Sequence, residues 1–162
     1  MEFMFLADRE EEATTIAQWY FSEWGRLSPS ATVTFFTEQL SGYLNRDAVP
    51  LVIMAVENDV VIGAAQLKYR EMKIYPEKEH WLGGVYVTEP HRGKGVAAAL
   101  INEVEAVAIR LGVTELHLQT EQLTGGLYAR LGWQPLEQVN YHDTDVLVMR
   151  KVIACCSAKA GG

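Results

Sequence analysis

Cysteine is nearly absent: the chain of 162 residues holds two, Cys155 and Cys156, adjacent and near its end. Two neighbouring thiols make neither a disulfide framework nor a metal site. They suit unpaired thiols on a loose tail in a reducing cytoplasm, and no metal is expected. Positive charge is also scarce. Lys and Arg number 14 against 21 Asp and Glu, a formal charge of -7. That excludes non-specific binding to nucleic acid, which needs a positive surface, and favours a cationic partner such as an amine. The segment Met1 to Asp8 is apolar but has no basic leader, and acidic residues follow at once. Neither a signal peptide nor a membrane span is expected from it. Repeats and low-complexity tracts are missing too.

What is present suits an ordinary globular domain, with 49% hydrophobic and 22% charged residues. A single domain is expected over residues 1–152. Residues 153–162, ending in small polar residues from Ser157 to Gly162, are expected to form a frayed tail. A first strand is predicted over Phe3 to Leu6. Asp8 follows as a helix N-cap, with Glu10, Glu11 and Glu12 in the favoured first turn. Ile16, Trp19, Tyr20 and Trp24 continue at helical spacing until Gly25. A second helix is predicted from Ser30, carrying Val33, Phe36, Leu40, Tyr43 and Leu44. Leu51–Val56 and Val60–Leu67 read as a hairpin about Glu57, Asn58 and Asp59.

Trp81–Val87 is a further strand. After it the period changes, and Leu100, Ile101, Val104, Val107, Ala108 and Leu111 mark a helix that Gly112 ends. Glu115–Gln119 reads as a strand and Thr124–Leu131 as a helix. Trp133–Val139 and Thr144–Met149 read as the last two strands. The order of helices, an antiparallel set, then alternating strands and helices gives an α/β domain on a mixed sheet.

The segment from Val87 through Pro90 into Arg92-Gly93-Lys94-Gly95-Val96-Ala97 carries the chemistry. Gly93 and Gly95 remove side chains where a ligand must approach the backbone. The helix start beyond them offers unpaired N–H groups and a positive dipole end, a seat for a pyrophosphate. Arg92 and Lys94 add charge-assisted contacts. A plain glycine-rich turn is the bland alternative. A P-loop is excluded because Gly95, not Ser or Thr, follows Lys94. Gly93-x-Gly95-x-x-Ala98 spells a dinucleotide fingerprint, with Glu121 available as ribose carboxylate. The four residues Glu89 to Arg92 nevertheless separate the glycines from their strand, where that fold needs a tight turn.

Arg92-x-x-Gly95-x-Ala97 matches the Gln/Arg-x-x-Gly-x-Gly/Ala signature of the GNAT superfamily of N-acetyltransferases. Val85-Tyr86-Val87-x-x-Pro90 resembles the strand and loop that introduce it. Leu127-Tyr128-Ala129-Arg130-Leu131-Gly132-Trp133 resembles the family's second landmark, a Tyr-x-x-x-Gly-aromatic block. The resemblance covers Trp81 to Val139. It implies a central mixed, mostly antiparallel sheet of six to seven strands, flanked by helices, with a splayed parallel strand pair. It also implies acetyl-coenzyme A as acyl donor and a small-molecule or peptide amine as acceptor. Tyr86 and Val87 would border the pantetheine arm, the backbone of Arg92, Gly93, Lys94, Gly95, Val96 and Ala97 would hold the pyrophosphate, and Gln119 and Thr120 would flank the far side. Tyr128 takes the position of a tyrosine that protonates the departing thiolate.

One departure stands out. Many relatives carry a glutamate on the strand before the glycines as general base, and here those positions are Gly83 and Gly84. Glu71, His80, Glu121 and a water chain are the candidate replacements. For the acceptor, Trp24 and Tyr43 are the favoured aromatic wall, and Glu71, Tyr75, Glu77 and Glu121 offer polar or negative groups. The missing strand glutamate keeps a second function class open, a non-catalytic coenzyme A-binding or regulatory module. An exposed strand edge near the C-terminus leaves a homodimer possible.

Overall fold

The structure is a computed structural model that describes residues 1–154. Leu51–Glu57 (β2) and Val60–Tyr69 (β3) form the predicted hairpin. Asn58 and Asp59 close it, both at positive φ (51° and 67°), the conformation a two-residue type I′ turn requires. Glu2–Phe5 (β1) pairs antiparallel with β2, and His80–Val87 (β4) antiparallel with β3. Glu115–Thr120 (β5) lies parallel to β4. Gln134–Tyr141 (β6) and Thr144–Val152 (β7) complete a seven-stranded sheet in the order β1-β2-β3-β4-β5-β7-β6. This is the mixed, mostly antiparallel sheet that was expected, with one parallel pair.

The helices cover both faces. Val96–Arg110 (α3) presents Val96, Leu100, Ile101, Val104, Val107 and Ala108 to one face. Ala13–Trp24 (α1) and Val33–Ser41 (α2) cover the other with Ile16, Ala17, Tyr20 and Leu40. β2 is therefore buried on both sides, which accounts for its unbroken apolar run. Gly126–Arg130 (α4) is a single short turn before β6.

Two predicted helix starts are corrected. Asp8 does not cap α1: two 3-10 turns, Leu6–Asp8 and Glu10–Glu12, intervene, and α1 begins at Ala13 without a side-chain cap. The Asp8 carboxylate pairs with Arg46 instead, and Arg9 ties this entry to Asp59 at 3.1 Å and Glu12 at 3.3 Å. The second helix starts after Thr32 rather than Ser30, because the Thr32 hydroxyl accepts the Phe35 N–H at 3.0 Å. At the other end, the amides of Ile153 and Ala154 bond the Thr114 carbonyl at 2.9 and 3.2 Å. Cys155, Cys156 and the rest of the expected tail lie outside the described residues. Among the described residues no helix is long and apolar enough to cross a membrane.

Candidate active site

β4 and β5 share one register pair, Trp81 with His117, and diverge beyond it towards Val87 and Thr120. The divergence coincides with a bulge. Gln66 faces Gly83 and Ala64 faces Tyr86, so Gly84 and Val85 together oppose Ala65. Gly84 sits at φ 56°, and a Cβ there would lie 2.7 Å from the Tyr20 hydroxyl oxygen. That hydroxyl donates to the Gly84 carbonyl at 2.7 Å. Burial pushes the Tyr20 phenol well above its ordinary range, against an opposing hydrogen bond with Gln66. The extra residue breaks strand alternation. Leu82, Val85 and Val87 join the core beneath α3, while Tyr86 turns to the other face and stacks on Trp19 at 5.1 Å.

Past β4 the chain makes one 3-10 turn, Glu89–His91, that begins with Pro90 in its first positions. Thr88 Oγ1 and His91 Nδ1 lie 2.9 Å apart, and Arg92 Nε donates to the Val87 carbonyl at 2.8 Å. The Arg92 guanidinium covers the Tyr86 ring at 5.3 Å, so Trp19, Tyr86 and Arg92 form a continuous stack. Gly93 and Gly95 follow at φ 75° and 82°. A Cβ at either would meet nothing within 4 Å. Gly95 opens α3 without any side-chain cap. The first turn of α3, at Val96 and Ala97, thus follows two open glycine positions and has no side-chain cap, an arrangement suited to a phosphate oxygen. Lys94 is exposed beside it.

A cleft of about 990 Å³ lies across the divergence. Its floor is Gly83, Gly84 and Val85 of β4 with Leu118, Gln119 and Thr120 of β5. Trp24, Phe35 and Phe36 line one side, and the β6–β7 turn with His142 and Asp143 lines another. Tyr128 of α4 faces in as well, its ring 6.4 Å edge-on from Trp133. Burial, and secondly the Glu71 carboxylate, push its phenol up to about 12. Glu71 accepts a hydrogen bond from Gln119 Nε2 at 2.9 Å and pairs with Lys68 Nζ at 2.9 Å. Burial, the largest single influence, would lower the Lys68 ammonium, but the charge and hydrogen bond of Glu71 together with Tyr43 outweigh it and leave the pKa above the ordinary lysine value. Arg26, beyond α1, reaches over to Glu121 at 3.1 Å.

Of the residues singled out from sequence, Trp24, Glu71, Gln119, Thr120, Glu121 and Tyr128 meet in this cleft. Arg92 to Ala97 make the adjoining cradle. The Thr120 hydroxyl accepts from the Gln122 amide at 3.1 Å and shapes the loop after β5. Tyr86 backs the cradle through Arg92, while the bulge hands its place on the cleft floor to Val85. Tyr43 packs against the α1–α2 core instead of lining the cleft. His80 stands beside Trp81 at the closed end of the strand pair, its ring 5.8 Å from Tyr69. Tyr75 is buried next to Trp81 and donates to Glu137. Sequence reasoning missed Gln66, Lys68 and the Tyr20 hydroxyl, whose roles come from pairing across strands and from the bulge.

The sequence model of the "Acetyltransferase (GNAT) family" matches residues 12–133. Among solved structures, an aminoglycoside 6'-N-acetyltransferase complexed with coenzyme A superposes with TM-score 0.74 at 15% identity, covering 96% of this chain and 98% of that one. The ribosomal-protein-alanine N-acetyltransferase from Brucella melitensis gives 0.71 at 18%, over 94% and 99%. A putative acetyltransferase, yncA, from Salmonella typhimurium with its cofactor acetyl-CoA gives 0.71 at 17%, over 94% of each. At these identities the likeness shows a shared fold. No curated protein matches the sequence.

Proposed function

The chain belongs to the acetyltransferase (GNAT) family, and on that premise we propose that it transfers the acetyl group of acetyl-coenzyme A to a primary amine of a small molecule or peptide. The observation that carries this is the junction of an open anion cradle with a cleft holding a protonated phenol, both at one divergence of β4 from β5. The cradle fits the donor: at Gly93 and Gly95 a side chain would fill the space that a pyrophosphate needs. The backbone of residues 92–97 would hold that group, with Val85, Val87, Gln119 and Thr120 flanking the arm. The donor supplies an activated acyl carbonyl.

The chain's own residues then have separate tasks. Tyr128, with its pKa raised to about 12, keeps its proton at neutral pH and donates it to the departing sulfur. Trp24, Phe35 and Phe36 offer ring faces and Glu23, Glu71 and Asp143 negative charge, a combination that suits an ammonium. Two of the similar structures are named for amine acetylation, which supports the same acceptor class. A non-catalytic coenzyme A-binding module needs no proton donor over the opening, so Tyr128 favours catalysis. The exposed outer strand β6, with Leu136 46% exposed, supports pairing with a second copy. The scarcity of cysteine supports a reducing, cytoplasmic setting.

The test is thiol release from acetyl-coenzyme A with kanamycin, spermidine and a peptide bearing N-terminal alanine as acceptors. Release above background is expected with at least one. Thermal stabilisation by coenzyme A without release from any of them would leave the non-catalytic module as the function.

A further inference from the structure

Gly83 lies on the cleft floor, where a strand side chain would project into the site. A Cβ on Gly83 would fall 2.6 Å from Glu71 Oε1 and 2.7 Å from Lys68 Cδ. The space that the strand leaves free is therefore filled by a carboxylate brought in from the β3–β4 loop. Glu71 is the buried carboxylate of the cleft, its side chain 11% exposed, whereas Glu121 is 41% exposed and engaged with Arg26. Glu23 and Asp143 are exposed. Two contacts fix the Glu71 carboxylate between the diverging strands: Lys68 Nζ of β3 on Oε1 and Gln119 Nε2 of β5 on Oε2, each at 2.9 Å. A carboxylate has about four lone-pair sites, so both oxygens retain capacity for an incoming N–H. The charged and titratable groups facing it are Lys68 from β3 and Tyr128 from α4, with Tyr43 acting on Lys68 from beyond α2.

Resting on the acetyl-transfer function, we propose that Glu71 is the proton acceptor of the reaction, replacing from a loop the carboxylate that β4 lacks. An ammonium nitrogen loses two protons in becoming an amide. One passes to the Glu71 carboxylate and on to water, freeing the lone pair that forms the C–N bond. The other leaves nitrogen as the C–S bond breaks; the sulfur takes a proton from the Tyr128 hydroxyl, which this second proton restores. The balance is one ammonium and one thioester giving one amide, one thiol and one proton. Lys68 is a positioning residue that holds the Glu71 carboxylate in place through their ion pair.

The decisive variant is Glu71→Gln, which keeps the shape and can still hydrogen-bond Gln119. Using the acceptor that the wild type turns over fastest among kanamycin, spermidine and the alanine peptide, kcat/KM near about pH 7 is expected to fall about a hundredfold. The deficit should shrink at least about tenfold as pH approaches the acceptor's own ammonium pKa, near about 10 for an alkylamine, because the amine then arrives neutral. Coenzyme A should raise the melting temperature of wild type and variant equally. A kcat/KM within about threefold of wild type, or a deficit that stays constant with pH, would overturn the assignment and leave acetyl transfer standing. Should Glu71→Gln fail to fold, Glu71→Asp withdraws the charge by one methylene. A loss of at least about tenfold supports the assignment there, and none overturns it. A wild type that turns over no acceptor removes both this inference and the function on which it rests.

Discussion

A phenol that is to give up a proton at neutral pH must still hold one there. Tyr128 meets that condition already at the ordinary phenol value of 10.0, and burial, helped by the nearby Glu71 charge, disfavours its phenolate further. Tyr128→Phe should lower kcat by about tenfold to a hundredfold and leave coenzyme A affinity unchanged, as steady-state kinetics and calorimetry can check. The same shift has a stability consequence of fixed sign. The folded state binds the proton more tightly than the unfolded chain does, so the advantage is whole below the unfolded value of 10.0 and is lost as pH rises to about 12. The stability of wild type relative to Tyr128→Phe should therefore fall across that window in urea titrations. Tyr128 was legible in sequence from its spacing to Gly132 and Trp133. The place of Glu71 was not. Its partner Gln119 is 48 positions away, and its approach depends on a loop that leaves β3 through Arg70 at φ 49°. The pair of glycines read as a missing group, when one of them makes room for a group from elsewhere.

Among the elements, two glycine positions set the geometry and fail differently when altered. Gly84→Ala forces a side chain into positive φ and against the Tyr20 hydroxyl, so denaturant unfolding should show a loss of about 1–3 kcal/mol. Gly95 has open space beside it, so Gly95→Asp meets no clash in the free protein and bears only the cost of its φ of 82°. Its main effect should appear with ligand: affinity for coenzyme A weaker by at least about tenfold, from a side chain and a like charge against the pyrophosphate. Equal affinity would remove the cradle assignment. Periodicity located all the strands and the long helix α3; β2, β3 and α3 carry a continuous buried run or one dominant buried face, whereas the outer strand β6 is mostly exposed. It misplaced the entry to α1, where acidic residues suited to a first turn instead form 3-10 turns tied down by Arg9 and Arg46. The bulge had no sequence signal of its own, since adjacent glycines leave its register open until Tyr20 selects Gly84.

For the molecule as a whole, a formal charge of -7 faces an acceptor proposed to be cationic. For spermidine, kcat/KM should fall as salt rises over about one Debye length of screening, mainly through KM, and a singly charged amine should respond less. An acceptor rate indifferent to salt would argue against a charged acceptor site. The sheet itself suggests something further. With one register pair joining β4 to β5, the molecule is two half-sheets that share a seam at Trp81 and His117 and then part. A donor arm lying in that gap, with main-chain groups on both sides, would act as a splint as well as a substrate. Amide hydrogen exchange in β5 and at the free end of β4 should slow together on loading, by more than in β2, which is already braced by a paired strand on each side. At a hundredfold excess over Kd such a ligand adds about 2.7 kcal/mol of stability. Every catalytic cycle would then remove and replace a structural member, so the stiffness of the loaded protein and the speed of product release would oppose each other.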